Sequence, residues 1–259
     1  MDIDSSSAMI SQLFKASSHK ARIEILKLLE KDNRTAKDLA KLLETSQAYV
    51  YKHLQILSEE DLIKRNEEGF GLSTSGKIFV NSFDTMEVII KYRPIWGNHG
   101  IDEIQTDLLR DIGVLRNTEL ISPAHEVLSR FIEMVSRTKE ILLIAVYQPP
   151  RVMYPIIQER VEEGVRRYLL LRFLPSDLSE FLPCWIKDNG AEMRIGSEKD
   201  IYMGVFVSDN KEAGIIFADS QGFLDWNFGL YGTEPEFVSW VEKNFWEMYG
   251  KAKIYVPDL

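Results

Sequence analysis

The pattern of apolar and polar positions between residues 35 and 72 predicts two short helices followed by a β-hairpin. Residues 35–43 and 47–57 have helical spacing, and a polar turn separates them. In the second helix the apolar residues recur at i, i+4 and i+7 and form one stripe for a core, namely Val50, Leu54 and Leu57. Residues 62–72 then alternate like two strands closed by a glycine. Helix, tight turn, helix and β-wing is the order of a winged helix-turn-helix, whose second helix enters the DNA major groove.

The polar face of this second helix carries side chains that can bind DNA. Amides hydrogen-bond to base edges, lysines neutralise phosphates, and a serine can both cap the helix and contact a phosphate. With two cations of the wing, the predicted DNA-binding set is Ser46, Gln47, Tyr49, Tyr51, Lys52, His53, Lys64 and Arg65. For His53, a DNA contact and a role in packing both stay open. A single helix of this kind is more often an ordinary solvated surface helix, but the flanking elements in the right order favour DNA binding.

Helical spacing also predicts one helix before this region and one after it. Residues 16–29 begin with serines that can cap a helix, and they place four apolar side chains on one face, namely Ala21, Ile25, Leu28 and Leu29. A further helix is predicted from Thr74 to Tyr92. Its apolar residues Phe79, Phe83, Met86 and Ile90 are spaced like a coiled-coil seam. We expect this seam to join two copies of the chain in a homodimer; the alternative is that it packs on the chain's own C-terminal domain.

Three segments match a known regulator pattern. They are residues 16–26, with Arg22-Ile23-Glu24-Ile25-Leu26 at their end, residues 50–54, and the Leu-Ser-Thr-Ser-Gly step at 72–76. Through them, residues 13–80 resemble the ArsR-type winged-helix regulators. The resemblance implies a sequence-specific, DNA-binding transcriptional regulator. The Cys-x-Cys pair of the metal-sensing members does not occur in the sequence, so metal sensing is not expected.

The charges are distributed unevenly along the chain. The formal net charge is −9, but residues 1–91 hold 13 Lys and Arg against 14 Asp and Glu. Residues 92–259 hold 18 against 26, so nearly all the excess acid lies in this second part. Within residues 15–52 there are nine basic and five acidic residues. A modest basic patch on an acidic protein fits salt-dependent binding of double-stranded DNA.

Glycines and a proline between residues 91 and 100 predict a domain boundary. Residues 101–115 then have helical spacing. Farther on, strands are predicted at 140–147, 167–174, 192–195, 202–208 and 213–218, and helices at 154–163, 178–189 and 235–250. The first of these strands is apolar throughout, as expected of a strand buried on both faces. The predicted fold class is α+β overall, with an N-terminal winged helix-turn-helix and a C-terminal α/β sheet domain.

The second part also carries a resemblance. Its matching segments are residues 96–104, 108–115, 207–209, 239–241 and 244–249. Through them, residues 95–250 resemble the middle domain of archaeal winged-helix regulators typified by a regulator of methanogenesis and filamentation. The resemblance implies a signal-receiving or dimerising domain, more distantly similar to the phospholipase-D-like sheet domain of archaeal sugar-responsive regulators. The catalytic His-x-Lys motif of active phospholipases occurs nowhere in the sequence, so lipase activity is not expected.

Candidate chemistry in the second part is sparse. Loops at the carboxyl ends of strands are where α/β domains bind ligands, and arginines there can hold a carboxylate or phosphate. The candidate ligand-binding residues are Tyr147, Arg151, Arg172, Arg194 and Trp226. The alternative is that these arginines pair with acids of this acidic domain. The four histidines do not stand at metal-ligand spacing, so no catalytic residue, metal or cofactor is predicted. The single cysteine, Cys184, is either a buried thiol or a thiol sensor.

The predicted organisation is a winged helix-turn-helix at 1–73, a linker or dimerisation helix at 74–94 and a sensor or dimerisation domain at 95–259. We expect a soluble, cytoplasmic protein with no membrane partner, because no signal peptide or bilayer-spanning stretch is visible. Three functions stay open. The chain is a dimeric transcription factor that senses a small molecule, a regulator whose second domain only dimerises or recruits a protein, or an α/β enzyme with a DNA-targeting module.

Overall fold

The computed structural model describes residues 3–97, 99, 109–174, 181, 185, 193–197 and 200–255. The chain forms two compact units, residues 1–86 and 87–259. Cys184, most of the predicted helix 178–189 and the first eight residues of the predicted helix 101–115 lie outside the described residues. None of the described helices is long and apolar enough to cross a bilayer.

The first unit consists of helices and one hairpin. Its elements are α1 (Ile3–Ser17), α2 (Lys20–Lys31), α3 (Ala36–Leu42), α4 (Gln47–Glu59), β1 (Ile63–Asn66), β2 (Gly69–Leu72) and most of α5 (Thr74–Lys91). The two strands pair antiparallel. A single core joins the helices, and its most buried members are Ile25, Leu26, Leu39, Val50, Leu54 and Leu57. The order and packing of these elements confirm the predicted winged helix-turn-helix.

The start of this unit differs from the prediction. Helix α1 is not among the predicted elements, and Ser17 belongs to it: its Oγ donates to the carbonyl oxygens of Leu13 and Phe14 at 3.2 and 3.1 Å. Ser17 therefore does not cap α2. His19 does, because its Nδ1 accepts the backbone N–H of Ala21 at 3.2 Å.

Helix α5 contributes much of its apolar face to the first unit. Phe79 and Phe83 are buried in the core, with ring centroids 5.3 Å apart, and Met86 packs against the same core. Ile90, by contrast, is 74% exposed. Phe79 and Phe83 are thus core residues rather than the exposed dimer seam predicted from their spacing. The physical reason is that both rings pack into the core of the first unit, where Phe79 also contacts Phe14 of α1 edge-on.

The second unit is built on one mixed sheet. Its elements are the end of α5, α6 (Arg93–Trp96), β3 (Glu119–Ile121), α7 (Ala124–Arg137), β4 (Ile141–Val146), α8 (Tyr154–Glu162), β5 (Arg166–Leu171), β6 (Met193–Ile195), β7 (Met203–Ser208), β8 (Glu212–Phe217), β9 (Gly229–Gly232), α9 (Pro235–Lys251) and β10 (Lys253–Ile254). Eight strands of the described chain follow the order β10-β6-β5-β4-β7-β8-β9-β3. Strands β4, β5 and β6 run parallel, and the other neighbours pair antiparallel.

Helices cover both faces of this sheet, so its central strands are buried on both sides. In β4, Leu143 and Ala145 join the core beneath α9, whereas Leu142, Ile144 and Val146 join the core beneath α7 and α8. The continuous apolar run therefore belongs to a doubly covered strand, as predicted. The elements α6, α7, β3, β9 and β10 are not among the predicted ones. Helix α7 did carry a usable pattern, since its buried residues Val127, Phe131, Met134 and Val135 have helical spacing.

Candidate nucleic-acid interface and cavity

Side-chain caps hold α3 and α4 in place. Ser46 caps α4 by accepting the backbone N–H of Tyr49 at its Oγ, at 3.2 Å. At the start of α3, Thr35 Oγ1 accepts the N–H of Asp38 while Asp38 Oδ2 accepts the N–H of Thr35, both at 3.2 Å. The hydrogen bonds from Thr35 hold the pKa of the Asp38 carboxyl below its ordinary value. These caps satisfy N–H groups that the helices leave unpaired, so both helix starts are fixed by local sequence.

The polar face of α4 points into solvent. Val50 and Leu54 are buried in the core, while Gln47, Tyr51 and Lys52 are exposed, with Tyr51 at 50%. Three side-chain types suited to base edges and phosphates thus stand together on one exposed helix face. Tyr49 is less exposed because its ring packs on His53, with centroids 4.5 Å apart.

His53 lies inside the domain and is 4% exposed. Its ring packs between those of His19 and Tyr49, each with a centroid 4.5 Å away. Neither ring nitrogen has a hydrogen-bond partner within the described residues. Burial, followed by electrostatic interaction with His19 and Arg22, lowers the pKa of His53 below its ordinary value. Of the two roles left open for this residue, the geometry supports packing and not a direct DNA contact.

The wing is fixed by a close backbone approach. Phe70 in β2 pairs with Arg34, which precedes α3: each N–H donates to the other's carbonyl oxygen, at 2.8 and 2.9 Å. Gly69 has a φ of +128°, and a Cβ there would lie 2.4 Å from the Arg34 carbonyl oxygen. Glycine is therefore required at this position both for conformation and for space.

Of the two exposed wing cations, Arg65 lies beside α4. Lys64 and Arg65 are exposed on β1, and the Arg65 guanidinium lies 5.9 Å from the centre of the Phe70 ring. The Tyr51 ring of α4 contacts the same phenylalanine edge-on, with centroids 6.4 Å apart. Phe70 thus holds Arg65 next to the exposed face of α4.

Two further residues support the wing and were not predicted to do so. Ser73 Oγ accepts the N–H of Gly76 at 2.9 Å and caps α5, and Ser73 N–H donates to the Leu62 carbonyl at 3.1 Å. A Cβ on Gly76 would lie only 1.9 Å from that same carbonyl oxygen. The Leu-Ser-Thr-Ser-Gly step therefore combines a helix cap with a close approach between α5 and the chain before the wing.

The predicted ligand residues separate into two groups. Tyr147 and Trp226 line one cavity of about 320 Å³, together with Gln148, Pro149, Pro150, Phe223 and Leu224. The Arg172 guanidinium lies 4.8 Å from the centre of the Tyr147 ring. Arg151, Arg172 and Arg194 are not among the residues that line this cavity. Arg151 is exposed in a 3₁₀ turn, whereas Arg194 Nη1 donates to the Tyr249 carbonyl at 3.0 Å at the end of α9.

Comparison with known proteins gives a domain-level match. Residues 19–65, from the cap of α2 into β1, match the family described as "Bacterial regulatory protein, arsR family". The first unit therefore contains an arsR-family helix-turn-helix domain, the kind of domain found in DNA-binding transcription regulators. No curated protein matches the sequence significantly.

Several solved structures share parts of the architecture. TrmBL2, described as an archaeal chromatin protein, is 14% identical with a TM-score of 0.44, over 91% of this chain and 94% of its own. Nuc from Salmonella typhimurium, a phospholipase D family member, is 10% identical with a TM-score of 0.41, over 54% and 99%. NucT from Helicobacter pylori is 13% identical with a TM-score of 0.42, over 54% and 99%. All three scores are below 0.5.

Proposed function

We propose that this protein is a sequence-specific DNA-binding transcriptional regulator that reads DNA with α4. The exposed face of the capped helix α4 carries the proposal, because Gln47, Tyr51 and Lys52 stand there beside Arg65 of the wing. This face belongs to the segment that matches the arsR family. A helix of this kind enters the major groove with its first residues at the base edges.

Each side chain then has a distinct role. Gln47, in the first turn of α4, offers an amide that can make two hydrogen bonds to adenine, and Lys52 neutralises a phosphate. Lys64 and Arg65 bind the DNA backbone beside the groove. Glu67, at the wing tip, opposes deep insertion because its carboxylate would meet phosphates. The wing is therefore a flanking contact.

We propose that the regulator is a homodimer and that the first unit contributes an apolar surface to the interface. This apolar surface consists of Met9, Ile10 and Phe14 of α1 and Ile78 of α5, which are between 49% and 69% exposed. The Phe14 ring packs edge-on against Phe79, so α1 and α5 meet at this surface. A two-fold dimer presents two recognition helices to two half-sites, which a single winged helix cannot do.

The second unit is proposed to sense a small molecule, and the cavity beside Tyr147 and Trp226 supports this role. The second candidate is a unit that only dimerises or recruits a protein partner. An attached α/β enzyme is less favoured, since the His-x-Lys motif of active phospholipases is missing from the sequence.

The test is selection of bound sequences from a pool of random DNA duplexes by the full chain. We expect enrichment of one motif, repeated with two-fold symmetry, and an affinity that declines steeply with salt. Recovery of all sequences with equal efficiency would contradict sequence-specific binding. Enrichment of a single unrepeated half-site would contradict the dimer but not the regulator.

A further inference from the structure

The cavity in the second unit is bounded by two loops that carry aromatic rings and prolines. One loop follows β4 and contributes residues 147–150. The other, which we call the cavity loop, is residues 218–228 and contributes Phe223, Leu224 and Trp226. At about 320 Å³ the space lies near the lower end of ligand pockets, which suits a molecule of one or two rings.

The cavity loop is held by its own hydrogen bonds. Asp219 Oδ1 accepts the backbone N–H groups of Gln221 and Phe223 at 2.8 and 2.9 Å. The Tyr147 hydroxyl donates to the Gly222 carbonyl and so joins the two loops. The cavity is therefore preformed, and a ligand does not have to order its walls.

The walls favour a flat aromatic ligand. The rings of Tyr147, Phe223 and Trp226 offer π-faces and edges, and the two prolines add rigid apolar surface. The Tyr147 hydroxyl is already bonded to Gly222, which leaves few polar groups for a highly hydroxylated ligand. Arg172 is not itself a lining residue, but its guanidinium lies 4.8 Å from the centre of the Tyr147 ring and so places positive charge next to this wall. That charge disfavours a cationic ligand and favours a carboxylate.

The cavity loop also holds the segment that follows α6. The backbone of His99 bridges to Asp219, and His99 Nε2 lies 2.9 Å from Asp225 Oδ2. His99 Nδ1 lies 2.8 Å from the Ile95 carbonyl oxygen, so each ring nitrogen lies within hydrogen-bond distance of an oxygen atom. Burial raises the pKa of Asp225, but hydrogen bonds from Asn227 and His99 outweigh it and leave the pKa lowered. A hydrogen bond between the buried His99 and the partly buried Asp225 thus joins the cavity loop to the chain after α6.

We propose that the cavity binds a small planar aromatic carboxylate, and that the His99–Asp225 contact transmits its occupancy to residues 92–99. This segment follows the helix that leaves the DNA-binding unit, so the site is the input of the proposed regulator. The biological meaning of this binding and transmission rests on the proposed function. Whether they occur within the second unit does not depend on it. Both are measurable without DNA.

The binding test is a titration of the full, ¹⁵N-labelled chain with benzoate, followed through the indole N–H resonances. The resonance of Trp226 is assigned with W226F. We expect a saturable shift of Trp226 with benzoate, and a response at least tenfold weaker with cyclohexanecarboxylate, which has the same charge but no π-face. No saturable shift, or equal responses to both acids, would overturn the aromatic-ligand site.

Variants locate the site and its charge preference. Phe223→Ala should weaken benzoate binding about tenfold, whereas Val152→Ala, which removes another exposed apolar side chain that does not line the cavity, should leave it unchanged. Arg172→Gln should weaken benzoate but not benzyl alcohol. An equal loss for the acid and the alcohol would overturn the carboxylate assignment, and unaltered benzoate binding in Phe223→Ala would place the ligand elsewhere.

Transmission has its own readout at Trp96, whose Nε1 donates to the Val88 carbonyl at 3.3 Å. Benzoate should shift the Trp96 indole resonance in the wild type, with the same saturation curve as Trp226. In Asp225→Asn the Trp226 shift should persist and the Trp96 shift should vanish. Transmission through this contact would be overturned if benzoate does not shift the Trp96 resonance in the wild type. It would also be overturned if benzoate still shifts that resonance in Asp225→Asn. A failure to bind DNA would instead contradict the proposed regulator and leave these results standing.

Discussion

The polar residues of the recognition helix α4 are either exposed or buried, and their chemical types do not predict which. Gln47 and His53 are both polar residues of α4, yet Gln47 is exposed and His53 is enclosed by two aromatic rings. A histidine on this helix fits a DNA contact or a packed position equally well from the sequence. Helix α2 decides the matter, because its capping residue His19 packs against the His53 ring, with centroids 4.5 Å apart.

Burial of His53 makes the stability of the protein sensitive to pH. The lowered pKa means that, just below the ordinary histidine pKa of 6.5, the unfolded chain binds more protons than the folded one. The stabilising contribution is therefore complete above that pKa and declines as the pH falls through it. We expect the thermal midpoint of the wild type to drop more than that of His53→Leu between about pH 7.5 and about pH 5.5.

Differential scanning calorimetry of the two proteins at both pH values measures this difference. The other acids and histidines are shared by both proteins, so their effects cancel in the comparison. Parallel declines in the two midpoints would show that His53 does not titrate differently on folding.

At the level of elements, the close approach of α5 to the chain before the wing depends on Gly76. A methyl group there would lie 1.9 Å from the Leu62 carbonyl oxygen, so the backbone must shift. We expect Gly76→Ala to lower the free energy of unfolding by about 1–3 kcal/mol, as overpacking does. Gly250→Ala is the control: nothing lies within 4 Å of a Cβ at this position of α9, and alanine favours a helix by about 0.5–1 kcal/mol.

Chemical denaturation measures both changes. Equal stabilities for Gly76→Ala and the wild type would show that α5 and the chain at Leu62 do not approach as closely as described.

The wing is a second element whose role can be tested by charge alone. Lys64→Glu combined with Arg65→Glu should weaken DNA binding strongly at low salt and much less at high salt, because phosphate contacts are screened. Glu67→Gln, at the acidic tip, is the matched change of opposite sign and should tighten binding slightly at low salt. Fluorescence anisotropy over a salt series measures all three proteins. A loss of the same size at every ionic strength would point to misfolding of the wing instead of lost phosphate contacts.

Local sequence patterns predicted the elements whose hydrophobic residues have a strong periodicity. They missed the elements that form only through contacts with distant parts of the chain. The capped helix α4 and the doubly buried strand β4 follow from spacing alone. Strand β10, only two residues long, and the pairing of Phe70 with Arg34 exist because other segments bring the backbones together. No local pattern encodes such contacts.

The candidate functional sites were likewise predictable only where a local sequence pattern defines them. The exposed face of α4 was predictable, since the apolar stripe defines its opposite side. The cavity was predictable only in part: Tyr147 follows a strand, but Phe223 comes from a loop 76 residues later in the sequence. Arg194 was expected at the same site, but the sheet order places it beside Tyr249.

At the scale of the whole molecule, the proposed dimer should depend on the apolar surface of α1 and α5 in the first unit. Ile10→Glu with Ile78→Glu places charge on two exposed apolar positions, so the variant should remain folded but become monomeric. Ile254→Glu, an exposed isoleucine of β10, is the matched control and should leave the dimer intact. Light scattering measures the mass of each. Phe83→Glu would be uninformative as a dimer test, because Phe83 is buried and its replacement should unfold the first unit.

A dimeric mass that persists in the double variant would move the interface away from this surface. The second unit would then be the place to search for it.

The decisive measurement is the affinity of a selected DNA duplex for the wild type, for a Gln47→Ala, Tyr51→Ala and Lys52→Ala triple variant, and for Lys243→Ala. Lys243 is exposed on α9, so its variant removes the same charge away from the recognition helix. We expect the triple variant to keep its thermal stability and to lose at least about 1–3 kcal/mol of binding free energy, the contribution of one good base contact. Lys243→Ala should bind like the wild type. Undiminished affinity of a folded triple variant would contradict DNA recognition by α4.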